Sequence, residues 1–419
     1  MKFTIKRVSD LIAEGVLEHP MDGNHGEKHP KTSDYVKEGI PFILVPDLTN
    51  GKVDLDNCNF ISEEQAKTLR KGFSKTGDVL FTHKATIGKV AIVDTREYPY
   101  IILTPQITYY RLKNSDVIDS KYLYYYFTSK PFQEHFKMFA SSGGTRAYLG
   151  ITAQEKLNII YPDLERQKRI ADILSTYDDL IENNNRRIAL LEKAAQELYK
   201  EWFVRFRFPG YETAEFENGI PKGWGIKKIG EIARVKSGYA FKSDWWTDEG
   251  IPVIKIKDIQ NNTIDFTDLS RVSEENSLNA KQFFVTAGDL LIAMTGATIG
   301  KLAIVPHSSE KLVVNQRVGK FFCGKQPILN IGFLYFTLQQ TWVQELIAMI
   351  AGSNAAQPNI SPFDIEKIKV LYNEKIVENF NNVVSKYIEQ ILLLIKKNQN
   401  LIKQRDLLLP RLMSGKLEV

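Results

Sequence analysis

Cysteine is scarce in this chain. Among 419 residues only Cys58 and Cys323 occur, too few for a disulfide framework. Long apolar runs are also missing: YLYYYF at 122–127 and ILLLI at 391–395 fall well short of the roughly 20 apolar residues that span a bilayer. The first residues, MKFTIKRVSD, lack the apolar core of a secretory signal. We therefore expect a protein of the reducing cytoplasm without membrane contact.

Catalytic motifs are missing as well. The segment GATIGKL at 296–302 resembles a phosphate-binding loop, but that loop needs four residues between its glycines and a hydroxyl after its lysine. Here three residues separate Gly296 from Gly300, and Leu302 follows the lysine. The chain has no G-x-G-x-x-G after a strand and no G-x-S-x-G elbow. The segment instead predicts two strands joined by a turn with a left-handed glycine.

Two further candidate sites are incomplete. The segment PDLERQK at 162–168 has the wrong acidic spacing for a metal-dependent nuclease and opens a helix, so we expect Asp163 to cap that helix. His19, His25 and His29 lack the paired cysteines of a zinc site and are expected in a solvated loop. The sequence therefore predicts neither catalysis nor a bound metal or cofactor in this chain.

What the chain does contain is a long internal repeat. The segment GDVLFTHKATIGKVAIV at 77–93 matches GDLLIAMTGATIGKLAIV at 288–305, which carries one extra residue. The segment EGIPFILVPDL at 38–48 matches EGIPVIKIKDI at 249–259, an offset of 211 positions. About ten additional residues of the first copy fall around 18–30. A period this long indicates a duplicated domain and excludes a solenoid.

Each copy is followed by a stretch with neither glycine nor proline, Gln167–Phe203 and Glu374–Leu409. Each stretch predicts a helix roughly 55 Å long, at about 1.5 Å per residue, and Pro410 is expected to end the second. Polar residues on the stripes are expected to set the register of a helix pair. The stripe residues, mostly three or four apart, are Ile181, Ile188, Leu191, Ala195, Leu198 and Trp202, then Ile391, Leu394, Asn398, Leu401, Arg405 and Leu408.

The predicted fold is α+β: two mixed α/β domains in tandem pseudo-repeat, joined by two long helices that form an antiparallel coiled coil. The alternative is that each helix packs only on its own domain. The predicted boundaries are 1–162 for the first domain, 163–206 for the central helix, 207–372 for the second domain and 373–419 for the C-terminal helix.

Four segments resemble one known family. They are YPDLERQKRIADILSTYDDLIENNNRRIALLEKAAQELYKEWFVRFRFPG at 161–210, IPKGWGIKKIGEIARVKSG at 220–238, GDLLIAMTGATIGKLAIV at 288–305 and NQNLIKQRDLLLPRLMSGKLEV at 398–419. The chain is similar to the specificity subunits of type I restriction–modification enzymes. Together with the repeat, the resemblance covers essentially the whole chain.

The resemblance implies two target-recognition domains that each read one half of an asymmetric bipartite site on double-stranded DNA. It also implies two methyltransferase subunits and two motor–nuclease subunits as partners, with S-adenosylmethionine, ATP and Mg²⁺ bound by those partners. The helices would be both spacer and docking surface. Aromatic residues on the first helix are candidates either for methyltransferase contact or for packing on a domain: Tyr177, Tyr199, Trp202 and Phe203.

Base recognition needs polar side chains on loops, so the turns matched between the copies are the first candidates for DNA contact. In the first copy these are His25, Lys28, His29, Thr82, His83, Lys84, Thr86, Lys89, Thr145, Arg146 and Tyr148. In the second copy they are Thr295, Thr298, Lys301, Gln316, Arg317, Asn354 and Gln357.

Two other functions stay open. The formal net charge of +5 is low for a protein that binds DNA alone, so a two-headed scaffold for protein partners without nucleic acid is one alternative. An enzyme with an unrecognised site is the other, and the missing motifs disfavour it. The residues of the candidate loops do not predict which DNA sequence the protein would recognise.

Overall fold

The computed structural model describes residues 3–140, 148–352 and 358–419. The chain divides into two compact units. Unit 1 consists of Met1–Asp179 and Leu401–Val419, and unit 2 of Leu180–Asn400. Within the described ranges, no helix combines the length and apolarity needed to cross a membrane.

Unit 1 is a mixed α/β domain. Its strands are β1 (Thr4–Arg7), β2 (Met21–Asp22), β3 (Tyr35–Val36), β4 (Ile40–Ile43), β5 (Leu48–Thr49), β6 (Lys52–Val53), β7 (Asn59–Ile61), β8 (Phe73–Ser74), β9 (Val79–Thr82), β10 (Val90–Ile92), β11 (Ile101–Leu103), β12 (Ile107–Tyr110) and β13 (Asn158–Tyr161). Its helices are α1 (Val8–Ala13), α2 (Glu63–Thr68), α3 (Ser120–Thr128), α4 (Lys130–Ala140), α5 (Ile151–Gln154) and the first part of α6 (Leu164–Tyr199).

Two larger sheets organise unit 1. One has the order β2-β12-β9-β10-β6-β5, the other β3-β7-β4-β11-β8, and β1 pairs with β13. Both larger sheets are mixed, because β4 runs parallel to β11 and β10 parallel to β6 while the remaining neighbours are antiparallel. Every residue of β9 and β12 is buried, which is expected of central strands covered on both faces.

Unit 2 repeats this plan. Its strands are β14 (Phe216–Glu217), β15 (Ile220–Pro221), β16 (Gly225–Lys228), β17 (Arg234–Ser237), β18 (Trp246–Thr247), β19 (Ile251–Ile254), β20 (Ile259–Gln260), β21 (Thr263–Ile264), β22 (Ser270–Val272), β23 (Phe284–Val285), β24 (Leu290–Ala293), β25 (Leu302–Ile304), β26 (Leu312–Val314), β27 (Val318–Phe322) and β28 (Lys369–Tyr372). Its helices are α7 (Ile229–Ile232), α8 (Glu274–Ser277), α9 (Gly332–Leu338), α10 (Thr341–Ile350), α11 (Pro362–Glu366) and most of α12 (Glu374–Met413).

The strands in the two larger sheets of unit 2 pair in the same order as their counterparts in unit 1. The order β17-β27-β24-β25 corresponds to β2-β12-β9-β10, and β18-β22-β19-β26-β23 corresponds to the five-stranded sheet of unit 1. The parallel pair β19 and β26 aligns Val253 with Val313, 211 positions after the alignment of Phe42 with Ile102 in β4 and β11. The predicted tandem pseudo-repeat of mixed α/β domains is confirmed.

A buried carboxylate lies at the same place in both units. In unit 1, Arg111 Nε and Nη2 donate to Asp78 Oδ1 and Oδ2 at 2.8 and 2.7 Å. In unit 2, Lys320 Nζ lies 2.9 Å from Asp289 Oδ2. Arg111 follows the last residue of β12, whereas Lys320 lies within β27, two positions earlier in the alignment of the copies. The charge pair is therefore kept although a different position supplies the cation. Neither carboxylate is left uncompensated in its core.

The two long helices form close to where the sequence predicts them. Arg166 N donates to Asp163 Oδ1 at 3.1 Å, which confirms Asp163 as the cap of α6. Lys200–Val204 continues α6 as a π-helical segment. The prediction that Pro410 ends α12 is wrong, because the helix continues to Met413. Proline removes a single N–H donor, and the last turn still closes through Ser414 N donating to Pro410 O at 3.1 Å.

Within unit 2 the helices are antiparallel and share a polar seam. Asn184 Nδ2 donates to Asn398 Oδ1, and Asn398 Nδ2 donates to Asn185 Oδ1, each at 2.8 Å. Farther along, the rings of Tyr199 and Phe380 lie 5.9 Å apart. Positions rise along one helix as they fall along the other, as the predicted coiled coil requires, and paired asparagines favour a single register.

Within unit 1 an ion pair joins the same two helices. Arg405 Nη1 donates to Asp178 Oδ1 at 2.6 Å, and Tyr125 OH of α3 donates to Asp178 Oδ2 at 2.6 Å. Leu412 and Met413 at the end of α12 are buried in the core cluster of unit 1. The C-terminal segment of the chain is therefore part of the first domain's core. The four-part division predicted at residues 162, 206 and 372 stays a prediction.

Most of the aromatic residues proposed for methyltransferase contact are core residues. Tyr199, Trp202 and Phe203 belong to the hydrophobic core of unit 2 and are almost fully buried. Tyr199 OH also hydrogen-bonds Thr337 Oγ1 at 2.9 Å. Of the two alternatives for these three residues, the structure supports packing on the domain. Tyr177 is half-buried.

We expect Asn398→Ala to destabilise the protein by about 1–3 kcal/mol, because it leaves the buried amide of Asn184 without its acceptor. The thermal unfolding midpoint measures the effect. Asn382→Ala is the matched control: the same substitution on the exposed face of the same helix should change the midpoint little. Equal shifts for the two variants would contradict a stabilising role of the asparagine seam.

Candidate nucleic-acid interface

The repeated ATIGK segment is a turn held by a glutamine. Gly88 and Gly300 have φ of 90° and 81°, which confirms the predicted left-handed glycines. Gln133 Nε2 donates to Gly88 O at 3.0 Å, and Gln344 Nε2 donates to Gly300 O at 3.2 Å. A Cβ on either glycine would lie within 2.6 Å of that glutamine's Oε1. The two glycines are therefore favoured by their left-handed φ, and a Cβ at either position would also displace the glutamine that holds the turn.

At the start of this turn, two candidate DNA-contacting residues of unit 1 are fully buried. Thr82 Oγ1 accepts a hydrogen bond from Lys89 N at 2.8 Å. His83 Nδ1 donates to Leu149 O at 3.0 Å, so Nε2 carries the lone pair of the neutral ring. This Nε2 is buried and makes no well-aligned hydrogen bond among the described residues. Both side chains stabilise the turn through hydrogen bonds to the backbone, Thr82 with Lys89 and His83 with Leu149. Their contact with DNA stays a prediction.

Lys84, just after β9 and His83, and Tyr148 are exposed residues beside the turn. The two residues form a β-bridge, and Lys84 Nζ lies 5.9 Å from the centre of the Tyr148 ring. The Tyr148 side chain is 52% exposed. We call His83, Lys84, Ala85 and Tyr148 the first tip. It presents a cation and an aromatic ring on a rigid strand end.

Unit 2 has an equivalent structure, the second tip, which consists of Met294, Thr295, Gly296 and Asn359. Thr295 forms a β-bridge with Asn359, as Lys84 does with Tyr148. The Thr295 hydroxyl is buried without a partner among the residues that the structure describes. The second tip is uncharged and carries an amide where the first carries a phenol.

The lysines that follow the two turns differ in their surroundings. Lys89 Nζ donates to Val45 O and Leu48 O, both at 3.2 Å, and so ties its turn to the next loop. Lys301 is exposed at the mouth of a groove of about 360 Å³ in unit 2. Burial raises the pKa of Glu192 in this groove, and a hydrogen bond with Asn262 offsets part of the rise. The matched lysines are thus not equivalent.

The three candidates in the first-copy insert pack against unit 1. His25 Nε2 lies 2.8 Å from Asp22 Oδ2, and Lys28 Nζ donates to Thr68 O at 3.3 Å. The His29 ring lies 5.6 Å from the Phe42 ring. Each side chain thus has a structural role in holding the insert, and DNA contact by any of them stays a prediction.

The remaining candidates lie beside the tips or outside the described residues. Thr86 is exposed and Thr298 is partly buried on the two turns. Gln316 and Arg317 are exposed, and Arg317 O accepts a hydrogen bond from Met294 N at 3.0 Å, which places Arg317 next to the second tip. The candidates on residues that the structure does not describe are Thr145, Arg146, Asn354 and Gln357.

Comparison with known proteins identifies the family. A family model for the type I restriction modification DNA specificity domain matches residues 17–193 and again 221–403. The chain belongs to this family. The two matches fall on the two copies of the repeat, so each copy is one specificity domain.

Individual relatives agree with this assignment. The MjaIX specificity subunit of a type I restriction enzyme from Methanocaldococcus jannaschii is 29% identical over 403 residues, with 93% of this chain and 89% of the relative covered. The HindI specificity subunit from Haemophilus influenzae is 23% identical over 447 residues, with 90% and 94% covered. The crystal structure of a type I restriction-modification S subunit from M. genitalium superposes with a TM-score of 0.59, at 17% identity and 98% and 96% coverage, and shares the fold.

Sequence reasoning missed two residues of the specificity domains. Asn359 forms a β-bridge with Thr295 in the second tip. In the first tip, Gln106 O accepts a hydrogen bond from His83 N at 3.0 Å. Aligning the two copies at the offset of 211 that holds outside the ATIGK segment would have paired Asn359 with Tyr148 and Gln106 with Arg317. In the described part of the chain, no group of three or more His, Cys, Asp or Glu side chains is arranged to hold a metal.

We expect His83 to make unit 1 sensitive to acid. Burial lowers the pKa of His83 from its ordinary 6.5, and the hydrogen bond to Leu149 offsets part of this. The unfolded chain therefore binds a proton that the folded chain excludes, and stability is lost as pH falls below about 6.5. His83→Met, which installs the residue of the second tip, should reduce the fall in thermal midpoint between pH 7 and pH 5.

His307→Met, at a partly buried histidine of unit 2, is the matched control and should keep the wild-type fall. A wild-type pH dependence in His83→Met would show that this imidazole does not contribute to the acid sensitivity.

Proposed function

We propose that this chain is the DNA sequence-recognition subunit of a type I restriction–modification complex. Unit 1 and unit 2 each read one half of an asymmetric bipartite target on double-stranded DNA. Membership of the DNA specificity family and the naming of its relatives as specificity subunits support this function.

The observation that carries the proposal is the contrast between scaffold and tips. The glycine of the turn and the glutamine that holds it are the same in both units, whereas the bridged pair beside the turn is Lys84 and Tyr148 in one unit and Thr295 and Asn359 in the other. Lys84, Tyr148 and Asn359 are exposed, and Thr295 is partly buried. A duplicated scaffold that carries different polar groups at equivalent exposed positions is what reading two different short sequences requires.

The chemistry of the complex then belongs to other chains. We propose that this subunit has no catalytic site and no cofactor, and that it acts in the cytoplasm with two methyltransferase subunits and two motor–nuclease subunits. S-adenosylmethionine, ATP and Mg²⁺ are assigned to those partners. Because its net charge is only +5, the partners would supply much of the phosphate contact.

Selection from a randomised duplex library tests the function directly. We expect the chain, assembled with its methyltransferase subunit, to select two short blocks separated by unread positions. Methylated-adenine mapping in cells that express the complex should return the same two blocks. An unbroken single motif would contradict the bipartite reading. The absence of any selection would favour the alternative, a protein scaffold that does not bind nucleic acid.

We also propose a docking surface for the methyltransferase on the helix pair. In unit 2, Leu190 on α6 and Leu393 on α12 are 61% and 46% exposed. The register that the Asn184–Asn398 hydrogen bond sets places them at the same level of the antiparallel pair. Two exposed leucines side by side on a helix pair are typical of a protein contact, and we propose that the methyltransferase covers them.

We expect Leu190→Ser together with Leu393→Ser to weaken methyltransferase binding at least about 10-fold, because each leucine would bury apolar area in the complex. Isothermal titration with purified subunits measures it. Leu329→Ser, at a leucine 44% exposed on the domain of unit 2, is the control and should leave the affinity unchanged. An unaltered affinity in the double variant would place the docking surface elsewhere.

A further inference from the structure

The two tips occupy one position in the fold, so they can be compared residue by residue. Each follows the central strand of its sheet, β9 or β24. Each is fixed by the same pair of backbone hydrogen bonds. In unit 1, His83 N donates to Gln106 O and Leu149 N to His83 O, both at 3.0 Å; in unit 2, Met294 N donates to Arg317 O and Ile360 N to Met294 O, also both at 3.0 Å.

The backbone of the first tip is held in an unfavourable conformation. Ala85, directly after Lys84, has φ of 64°, in the left-handed region that residues with a Cβ seldom adopt. The second tip has an inserted glycine at this point, and Gly296 takes φ of 70° without that penalty. A strained non-glycine residue kept at an exposed loop end is typical of a functional position.

Both tips also contain a polar atom that the described protein does not satisfy. His83 is fully buried, its Nε2 makes no well-aligned hydrogen bond although the Pro105 backbone interacts with the ring, and the ring lies 5.7 Å from the ring of Tyr148. The hydroxyl of Thr295 is in the same state in the second tip. Unpaired buried polar atoms are costly, so one in each tip favours a ligand-binding position there. The two atoms lie at neighbouring rather than equivalent positions, because Met294 corresponds to His83 and Thr295 to Lys84.

The side chains of the two tips suit different bases. Lysine donates to the O6 and N7 acceptors of guanine in the major groove, whereas the amide of asparagine pairs with N6 and N7 of adenine. We propose, on the basis of the function proposed above, that the tips are the equivalent base-reading positions of the two half-sites. Lys84 reads a guanine and Asn359 reads an adenine. Tyr148 is a positioning residue, since its ring lies beside the Lys84 ammonium.

Single variants in the assembled methyltransferase complex test this assignment. Lys84→Ala should relax one guanine position in the half-site read by unit 1 by roughly 10- to 100-fold and leave the other half-site unchanged. Asn359→Ala should relax one adenine position in the half-site read by unit 2 and leave the first unchanged. Each variant is thus the control for the other. Lys121→Ala, at an exposed lysine of α3, controls for loss of charge in unit 1.

A graft makes the test sharper. Lys84→Thr combined with Tyr148→Asn gives the first tip the bridged pair of the second, Thr295 and Asn359. We expect the guanine preference at that position to change to adenine, measured by selection from duplexes randomised in one half-site. Thermal unfolding of the variant complex, with a midpoint like the wild type, shows that it is folded.

The outcomes separate this inference from the proposed function. If the wild-type complex selects no sequence, the function itself is wrong. If the wild type selects a bipartite target and both alanine variants keep full discrimination at every position, the tips do not read bases. If Lys84→Ala weakens all sequences equally and reduces the salt dependence of binding, Lys84 contacts a phosphate, and the assignment of guanine is overturned.

Discussion

The fold depends on burying the apolar faces of two helices that are each too long for a single domain to cover. A helix with an apolar stripe is unstable in water unless the stripe is packed. In unit 1 this packing includes Leu412 and Met413 from the last residues of the chain, so the core of the first domain is completed only when the C-terminal helix returns to it. In unit 2, Tyr199, Trp202 and Phe380 bring both helices into the core of the second domain. The core of each domain therefore includes residues of both helices.

This dependence explains where polar groups are placed along the helices. The Asn184–Asn398 hydrogen bond in unit 2 and the Asp178–Arg405 ion pair in unit 1 interrupt otherwise apolar stripes. Such groups cost free energy unless each meets its partner, so a slipped register is penalised at both places. The helix pair keeps a defined register within each unit, and a protein that reads sequence at fixed positions needs that constancy.

Much of the fold could be predicted from the sequence. The long helices follow from the absence of glycine and proline, and the duplicated domain follows from the matched segments. The prediction that Pro410 ends α12 is wrong because proline lacks only the N–H that would bond a carbonyl in the preceding turn, while its own carbonyl still accepts a hydrogen bond from Ser414 N. The site was harder to predict. Side-chain type predicts Thr82, His83 and Lys89 as DNA contacts, and that stays a prediction. The structure adds that Thr82 and His83 are buried and that Lys89 donates to carbonyls of a neighbouring loop, which the residue types alone do not indicate. Polarity alone does not distinguish a buried hydrogen-bonding residue from an exposed one.

The sequence by itself determined that the chain is double, that its halves share a scaffold and that long helices follow each half, because these features depend on local periodicity and on repetition along the chain. Only the tertiary structure decided that Lys84 meets Tyr148 and that Thr295 meets Asn359, since each pair joins segments 64 residues apart that a β-bridge brings together. It also decided that the aromatic residues at the end of the central helix are core residues. Such contacts form between segments that are distant in the sequence. They depend on how the folded chain packs and cannot be read from one segment alone.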